Sequence, residues 1–358
     1  MGKFAIVARS SHAMRMNDYT PDENRYDGRM PYRRCGRWGL RLPAITLGCW
    51  WNFGGDTVTD NQRQMIYTSF HRGITHFDLA NNYGPPYGTA EINVGKIIKD
   101  LPREEIVLST KAGWDMWPGP YGDRGSRKYL LNSLEQSLKR LDQDYVDIFY
   151  MHRFVSDTPM DEMMWALDTA TRQGKALYVG ISSYDPDQTR DAVKTCQQNH
   201  FAPLLIHQQN YSMMNRYLED ELLDTVGQLG LGMICFCPLF QGVLTDKYLN
   251  GIPENSRATL ADTPLRSEET ADNVIAVVRQ LNEHAKLRGQ SMAQMALSWV
   301  LRDERVTSAL IGASRPQQIL DNVKAVENTN FTDDELAKID NILAQFELPE
   351  NLWANVDG

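Results

Sequence analysis

The 358-residue chain predicts an α/β protein of the (β/α)8 TIM-barrel class, with a short N-terminal β-hairpin and long loops on the C-terminal rim. Three observations predict it. Short apolar runs rich in β-branched and aromatic residues recur eight times, each too short for a helix, as strands buried on both faces require. Helix-length amphipathic segments separate them, the alternation that builds a parallel sheet. Two connections are far longer than usual, and each follows a strand, so both belong on the rim where barrels carry their sites.

Residues 1–30 read as a poorly ordered leader and residues 31–358 as one barrel domain. From Tyr32, YRRCGRWGLRLPAITLGCWW predicts a hairpin around Gly36 to Gly39 and then a strand over Ala44–Gly48. Helix Asn61–Arg72 precedes strand Ile74–Asp78, and helix Ala90–Ile98 precedes strand Ile106–Thr110. Ser126 caps a helix with Leu130, Leu134, Leu138 and Leu141 on one stripe, followed by strand Val146–Tyr150. Helix Asp161–Arg172 leads to strand Ala176–Gly180, helix Asp187–Gln198 to Leu204–Gln208, and helix Tyr217–Leu229 to Gly232–Phe236. Helices within Thr270–Leu301 lead to the last strand, Val306–Ile311, and Thr332 caps a terminal helix through Glu335. The long connections are Ala112–Gly125 and Pro238 to about Glu269.

A formal net charge of −9 argues against a general binder of nucleic acid or anionic membrane, whose phosphates the surface would repel. The five cysteines, Cys35, Cys49, Cys196, Cys235 and Cys237, are odd in number and lack metal spacing, so they read as reduced thiols of a cytoplasmic protein. Cys235 and Cys237 lie two apart in a strand-like run and should share a face, with Phe236 on the other. The histidines show no ligand spacing with Cys or carboxylates, so no metal is expected. No apolar stretch reaches the roughly 18 residues of a membrane span.

Three apolar runs end on ionisable residues: ITHFDLANNY with Asp78 and Tyr83, EIVLSTK with Lys111, and VDIFYMH with His152. Each residue has an ordinary explanation: an Asx turn, a loop aromatic, a snorkelling lysine, a hydrogen-bonded core histidine. Their coincidence at or just after three consecutive strand ends points to one catalytic group. A buried lysine needs a carboxylate, and Asp78 is one strand away. The ammonium beside Tyr83 is expected to lower the tyrosine pKa from about 10, fitting it to protonate a carbonyl oxygen, with His152 either orienting that carbonyl or relaying protons.

The blocks FDLANNYGPPYGTAE, LSTKAG, DYVDIFYMHR, GKALYVGISSY, FCPLFQGVLTDKY and LIGASRPQQILDNV, in this order, resemble the aldo-keto reductase superfamily over about Tyr32 to Asn341. The likeness is strongest to bacterial L-glyceraldehyde 3-phosphate reductases, which also resemble the β subunits of voltage-gated potassium channels. It implies a catalytic tetrad of Asp78, Tyr83, Lys111 and His152, with NADPH as cofactor. No GxGxxG or GxxxxGK[ST] motif is present, and the resemblance instead implies an extended cofactor lying across the strand ends. It places Ser182, Ser183 and Gln208 on the nicotinamide carboxamide, with Cys49, Trp50 and Asp78 nearby, and Phe236 in the ring-stacking place. Pro238, Leu239, Gln241, Gly242 and Lys247 fall on the pyrophosphate side; Gly312, Ser314, Arg315, Gln318, Asp321 and Asn322 fall around the adenosine 2′-phosphate and adenine. Ser183 stands where many members have Asn. Arg315 favours NADPH over NADH, because a guanidinium matches a phosphate dianion while a cation at a helix start is otherwise mildly unfavourable.

The substrate is expected to be a small aldehyde enclosed by Trp51, Tyr83, Trp114 and His152. Tyr87 and Trp117 either add to that wall or pack elsewhere. Arg124, Arg127 and Lys128 either receive a substrate phosphate or form a solvated basic face. A homo-oligomer is expected from the resemblance. Two competing readings are a Schiff-base lyase using Lys111 as the nucleophile, which leaves the serine, glutamine and GASR blocks without a role, and a cofactor-occupied regulatory module like a channel β subunit.

Overall fold

A computed structural model describes residues 19–254, 256–259, 265 and 267–345 of the chain. A two-stranded antiparallel hairpin, β1 (Tyr32–Arg34) with β2 (Arg41–Pro43), opens the domain. Then follow β3 (Ile45–Gly48), α1 (Asp60–His71), β4 (His76–Asp78), α2 (Thr89–Ile98), β5 (Val107–Ala112), α3 (Arg127–Leu141), β6 (Val146–Met151), α4 (Met160–Arg172), β7 (Ala176–Ser182), α5 (Pro186–Gln198) and β8 (Leu204–Asn210). The chain continues through α6 (Leu222–Leu229), β9 (Gly232–Phe236), α7 (Asp272–Leu287), α8 (Met292–Leu301), β10 (Val306–Ile311), α9 (Pro316–Asn322) and α10 (Asp333–Leu343). Strands β3 to β10 close a parallel barrel in sequence order, with β10 pairing back to β3. The expected barrel and its eight strands are therefore present.

Local chemistry places the helix starts. Thr59, Asp185, Ser291 and Thr332 each form a capping box that satisfies otherwise orphaned N–H groups of α1, α5, α8 and α10. Ser126 caps α3 through the Tyr129 N–H. The apolar stripes these starts phase are buried: Leu130, Leu134, Leu138 and Leu141 all lie in the shell between helices and strands.

Three expectations need correction. The proposed leader is not uniformly loose. Residues 1–18 lie outside the described residues, but from Tyr19 the chain straps the outside of α1, with the Tyr19 ring 3.9 Å from that of Tyr67 and Arg25 paired to Glu105 at 2.7 Å. Composition could not reveal this, because the partners belong to other elements. Secondly, the helix expected over Tyr217–Leu229 is broken into a 3-10 turn, Tyr217–Glu219, and α6. Glu219 accepts from Tyr211, Arg216 and Arg302, and this ionic knot sets the local backbone in place of helix propensity. Thirdly, Cys237 does not continue β9: its φ of +54° turns it out of the strand, so it lines the same cavity as Phe236 instead of sharing a face with Cys235. The expected lid after Pro238 falls partly outside the described residues, as do residues 346–358.

Candidate active site

Strand geometry brings the ionisable residues together. Side chains alternate along a strand, so His76 and Asp78 on β4 point into the barrel, as do Ser109 and Lys111 on β5. The register pairs Asp78 with Ser109 and Lys111 with Tyr150, which sets the lysine one inward step nearer the rim than the aspartate's partner. Lys111 Nζ reaches across to donate to Asp78 Oδ2 at 2.5 Å and to the Leu79 carbonyl at 2.7 Å. The other carboxylate oxygen, Oδ1, accepts from Ser109 Oγ at 2.6 Å and from Gln208 Nε2 at 3.3 Å.

Tyr83 sits in the loop after β4, which the Asn81 N–H anchors by donating to the Lys111 carbonyl. Its ring centroid is 5.0 Å from Lys111 Nζ and 5.9 Å from the His152 ring, which it meets edge-on. Trp50 flanks Tyr83 at 5.7 Å and Trp114 flanks His152 at 6.4 Å. The four expected catalytic side chains thus converge.

The electrostatics differ from expectation at Tyr83. Burial, reinforced by the Asp78 carboxylate, pushes its phenol well above the ordinary value of 10 instead of lowering it. Burial is the largest cause and Asp78 adds to it, while the Lys111 charge near the ring is matched by Asp78 and does not outweigh them. Burial also lowers the Lys111 amine, an effect that Asp78 opposes. His152 is held well below 6.5, first by burial and then by the nearby Lys111 and Arg153 charges, so its imidazole is neutral. Lys111 is fully buried and is not on the cavity wall, which leaves no access for a substrate carbonyl and removes the Schiff-base reading.

A cavity of about 1290 Å³ opens over these residues. That exceeds the roughly 300–1,000 Å³ of ordinary small-molecule pockets, as an extended dinucleotide plus a small substrate requires. Asp78, Tyr83, His152, Trp50, Trp51 and Trp114 line the cavity. Ser182, Ser183, Gln208, Phe236, Pro238, Leu239, Gln241, Gly242 and Lys247 line it as well, as do Gly312, Ser314, Arg315, Gln318, Asp321 and Asn322. Cys49 is the exception among the expected contacts: it is fully buried and absent from the wall, because it follows the inward-facing Gly48 and so points into the core. Tyr87 is 52% exposed and Trp117 packs on Tyr129, so neither joins the pocket. Arg124 pairs with Asp157, Arg127 stacks on Trp165 and Lys128 lies over Tyr121; these three cations are likewise outside it.

The residues fit the implied cofactor. Gly242 lies on the cavity wall, and a Cβ there would meet nothing within 4 Å, so the space beside it is open to a bound group. Trp51 Nε1, Asn82 Oδ1 and His152 Nδ1 are buried polar atoms with no protein partner on the cavity wall. Sequence reasoning missed Arg153, which lines the pocket beside His152. It is 4% exposed, its guanidinium lies 4.1 Å from the Trp114 ring, and its Nε donates to the Gly113 carbonyl. The visible signal was its place directly after His152 at a strand end.

Residues 44–344 match the Aldo/keto reductase family model. The chain belongs to this family. It is 54% identical to an L-glyceraldehyde 3-phosphate reductase of Escherichia coli O157:H7, over 91% of this chain and 95% of that one, and 53% identical to the K12 protein of the same description over the same shares. It is 34% identical to a probable voltage-gated potassium channel subunit beta of Oryza sativa, over 83% of this chain and 92% of the relative. Family membership makes it an NADP-dependent oxidoreductase. Among the described residues no helix is long and apolar enough to cross a membrane.

Proposed function

We propose that this aldo-keto reductase reduces short aldehydes with NADPH, and that phosphorylated three-carbon aldehydes are its preferred class. The observation that carries the reading is the convergence of Tyr83, His152 and the Lys111–Asp78 pair at a large cavity.

Tyr83 donates its phenolic proton to the carbonyl oxygen. Its high pKa keeps it protonated at every physiological pH, and transfer becomes favourable as the oxygen acquires alkoxide character. The Lys111 ammonium offsets the charge then left on the phenol, and Asp78 keeps that ammonium protonated against desolvation. Neutral His152 orients the carbonyl. Ser182, Ser183 and Gln208 would hold the nicotinamide carboxamide, Phe236 would pack against the ring and Arg315 would take the 2′-phosphate; NADPH when bound would supply the hydride. At the substrate end Arg153, in place of Arg124, Arg127 and Lys128, is the cation for a substrate phosphate. The family resemblance also favours a homo-oligomer, which light scattering on the purified protein tests.

The deciding experiment follows NADPH oxidation with glyceraldehyde 3-phosphate, glyceraldehyde and methylglyoxal. Higher kcat/KM on the phosphorylated substrate is expected, and equal efficiency with and without phosphate refutes the preference. Tyr83→Phe is expected to retain NADPH binding while kcat falls by roughly 10²–10⁴. Near-normal turnover in that variant rules out the assigned proton donor.

A further inference from the structure

Below the cavity floor the barrel interior is divided. On the β6 to β9 side it is filled by Ile148, Tyr150, Ile206 and Ile234. On the β10, β3, β4 and β5 side stand Ser308, Thr46, His76 and Ser109, all fully buried. They touch in series: Ser308 Oγ to Thr46 Oγ1 at 2.8 Å, Thr46 Oγ1 to His76 Nδ1 at 3.0 Å, and His76 Nε2 to Ser109 Oγ at 2.9 Å, ending in the 2.6 Å bond to Asp78 Oδ1. Well-packed apolar side chains could fill this space at no loss of stability, so the polar chain calls for another reason.

Counting protons gives the chain a direction. An ionised carboxylate only accepts, so the single hydroxyl proton of Ser109 goes to Asp78. Ser109 Oγ must then accept from His76, which is therefore protonated on Nε2. Burial lowers the His76 pKa to about 4, so the ring is neutral and its bare Nδ1 accepts from Thr46, which accepts in turn from Ser308. Every proton points toward Asp78. Its Oδ1 is thereby fixed, and Oδ2 is left for Lys111.

We infer that Ser109 and His76 are positioning residues, which orient the Asp78 carboxylate so that it holds the Lys111 ammonium beside Tyr83. The inference rests on the catalytic reading of those three residues. Two readouts test it in the full-length protein. Ser109→Ala is expected to lower kcat by roughly 10–100-fold with NADPH affinity unchanged, on the scale of lost outer-shell hydrogen bonds, while Ser109→Thr keeps the hydroxyl and retains most of the rate. His76→Leu is expected to behave like Ser109→Ala, and His76→Gln, whose amide can donate to Ser109, to recover part of the loss. Independently of activity, ¹⁵N NMR of histidine-labelled protein should find His76 as the Nε2–H tautomer from pH 5 to 8.

An Nδ1–H tautomer, or Ser109→Ala turning over within twofold of the parent, overturns the inference. So does a parallel loss of kcat, NADPH affinity and melting temperature in both serine variants, since that is a purely structural role. If Tyr83→Phe and Lys111→Met both keep turnover, the catalytic reading itself fails; if they lose it while Ser109→Ala does not, only the positioning role fails.

Discussion

Lys111 shows how one residue is fixed by cost. Removing a single partner from a buried ion pair costs about 3–5 kcal/mol, because an uncompensated charge stays behind. The sequence already implied that a lysine closing a buried strand needs Asp78. It could not show that Asp78 is itself held by Ser109 and Gln208, because that requires three strands to meet. Arg153 teaches the same lesson. Its place after His152 at a strand end was a faint signal, and only the tertiary structure shows it packed on Trp114 and lining the cavity. Arg153→Met is therefore expected to reduce the ratio of kcat/KM for glyceraldehyde 3-phosphate over glyceraldehyde by at least about tenfold, on the scale of a lost charge-assisted hydrogen bond. Steady-state kinetics on the two substrates measures that ratio, and an unchanged ratio moves the phosphate site elsewhere.

At the scale of elements, the strands and their ends were legible because burial on both faces forces short, continuous apolar runs. Helix starts were legible where a cap residue precedes a periodic stripe, as at Ser126 and Thr332. Ser126→Ala is expected to cost about 1 kcal/mol of stability by leaving the Tyr129 N–H of α3 without its acceptor. A lower urea midpoint with an unchanged slope would register this, and an unchanged midpoint would mean solvent replaces the cap fully. Legibility failed where distant contacts outweigh local preference. The ionic knot on Glu219 interrupts a helix that the apolar pattern allowed, and the turn at Cys237 ends β9 where alternation alone would extend it.

Across the whole molecule, the barrel holds several histidines neutral. Burial lowers His76 to about 4 and His207 to about 3, and lowers His152 well below 6.5. In the unfolded chain these imidazoles take up protons near pH 6.5, whereas the folded protein does not, so the unfolded state binds more protons between those values. Stability therefore falls as pH drops from 6.5 toward 4, by about 1.4 kcal/mol per pH unit for each such histidine across its window. Thermal unfolding from pH 7 to 4.5 checks this, and a flat melting temperature over that range contradicts the neutral assignments.

The amino-acid pattern by itself determined the barrel and the place of Asp78, Tyr83, Lys111 and His152 at its rim. Strand burial and strand ends are consequences of local apolar runs and of two-residue alternation, both carried along the chain. Only the tertiary structure decided which way Tyr83 is tuned, which cation lines the cavity beside His152, and that a line of hydrogen bonds runs beneath Asp78. Those depend on desolvation and on contacts between strands far apart in sequence, and neither is a property of any one segment.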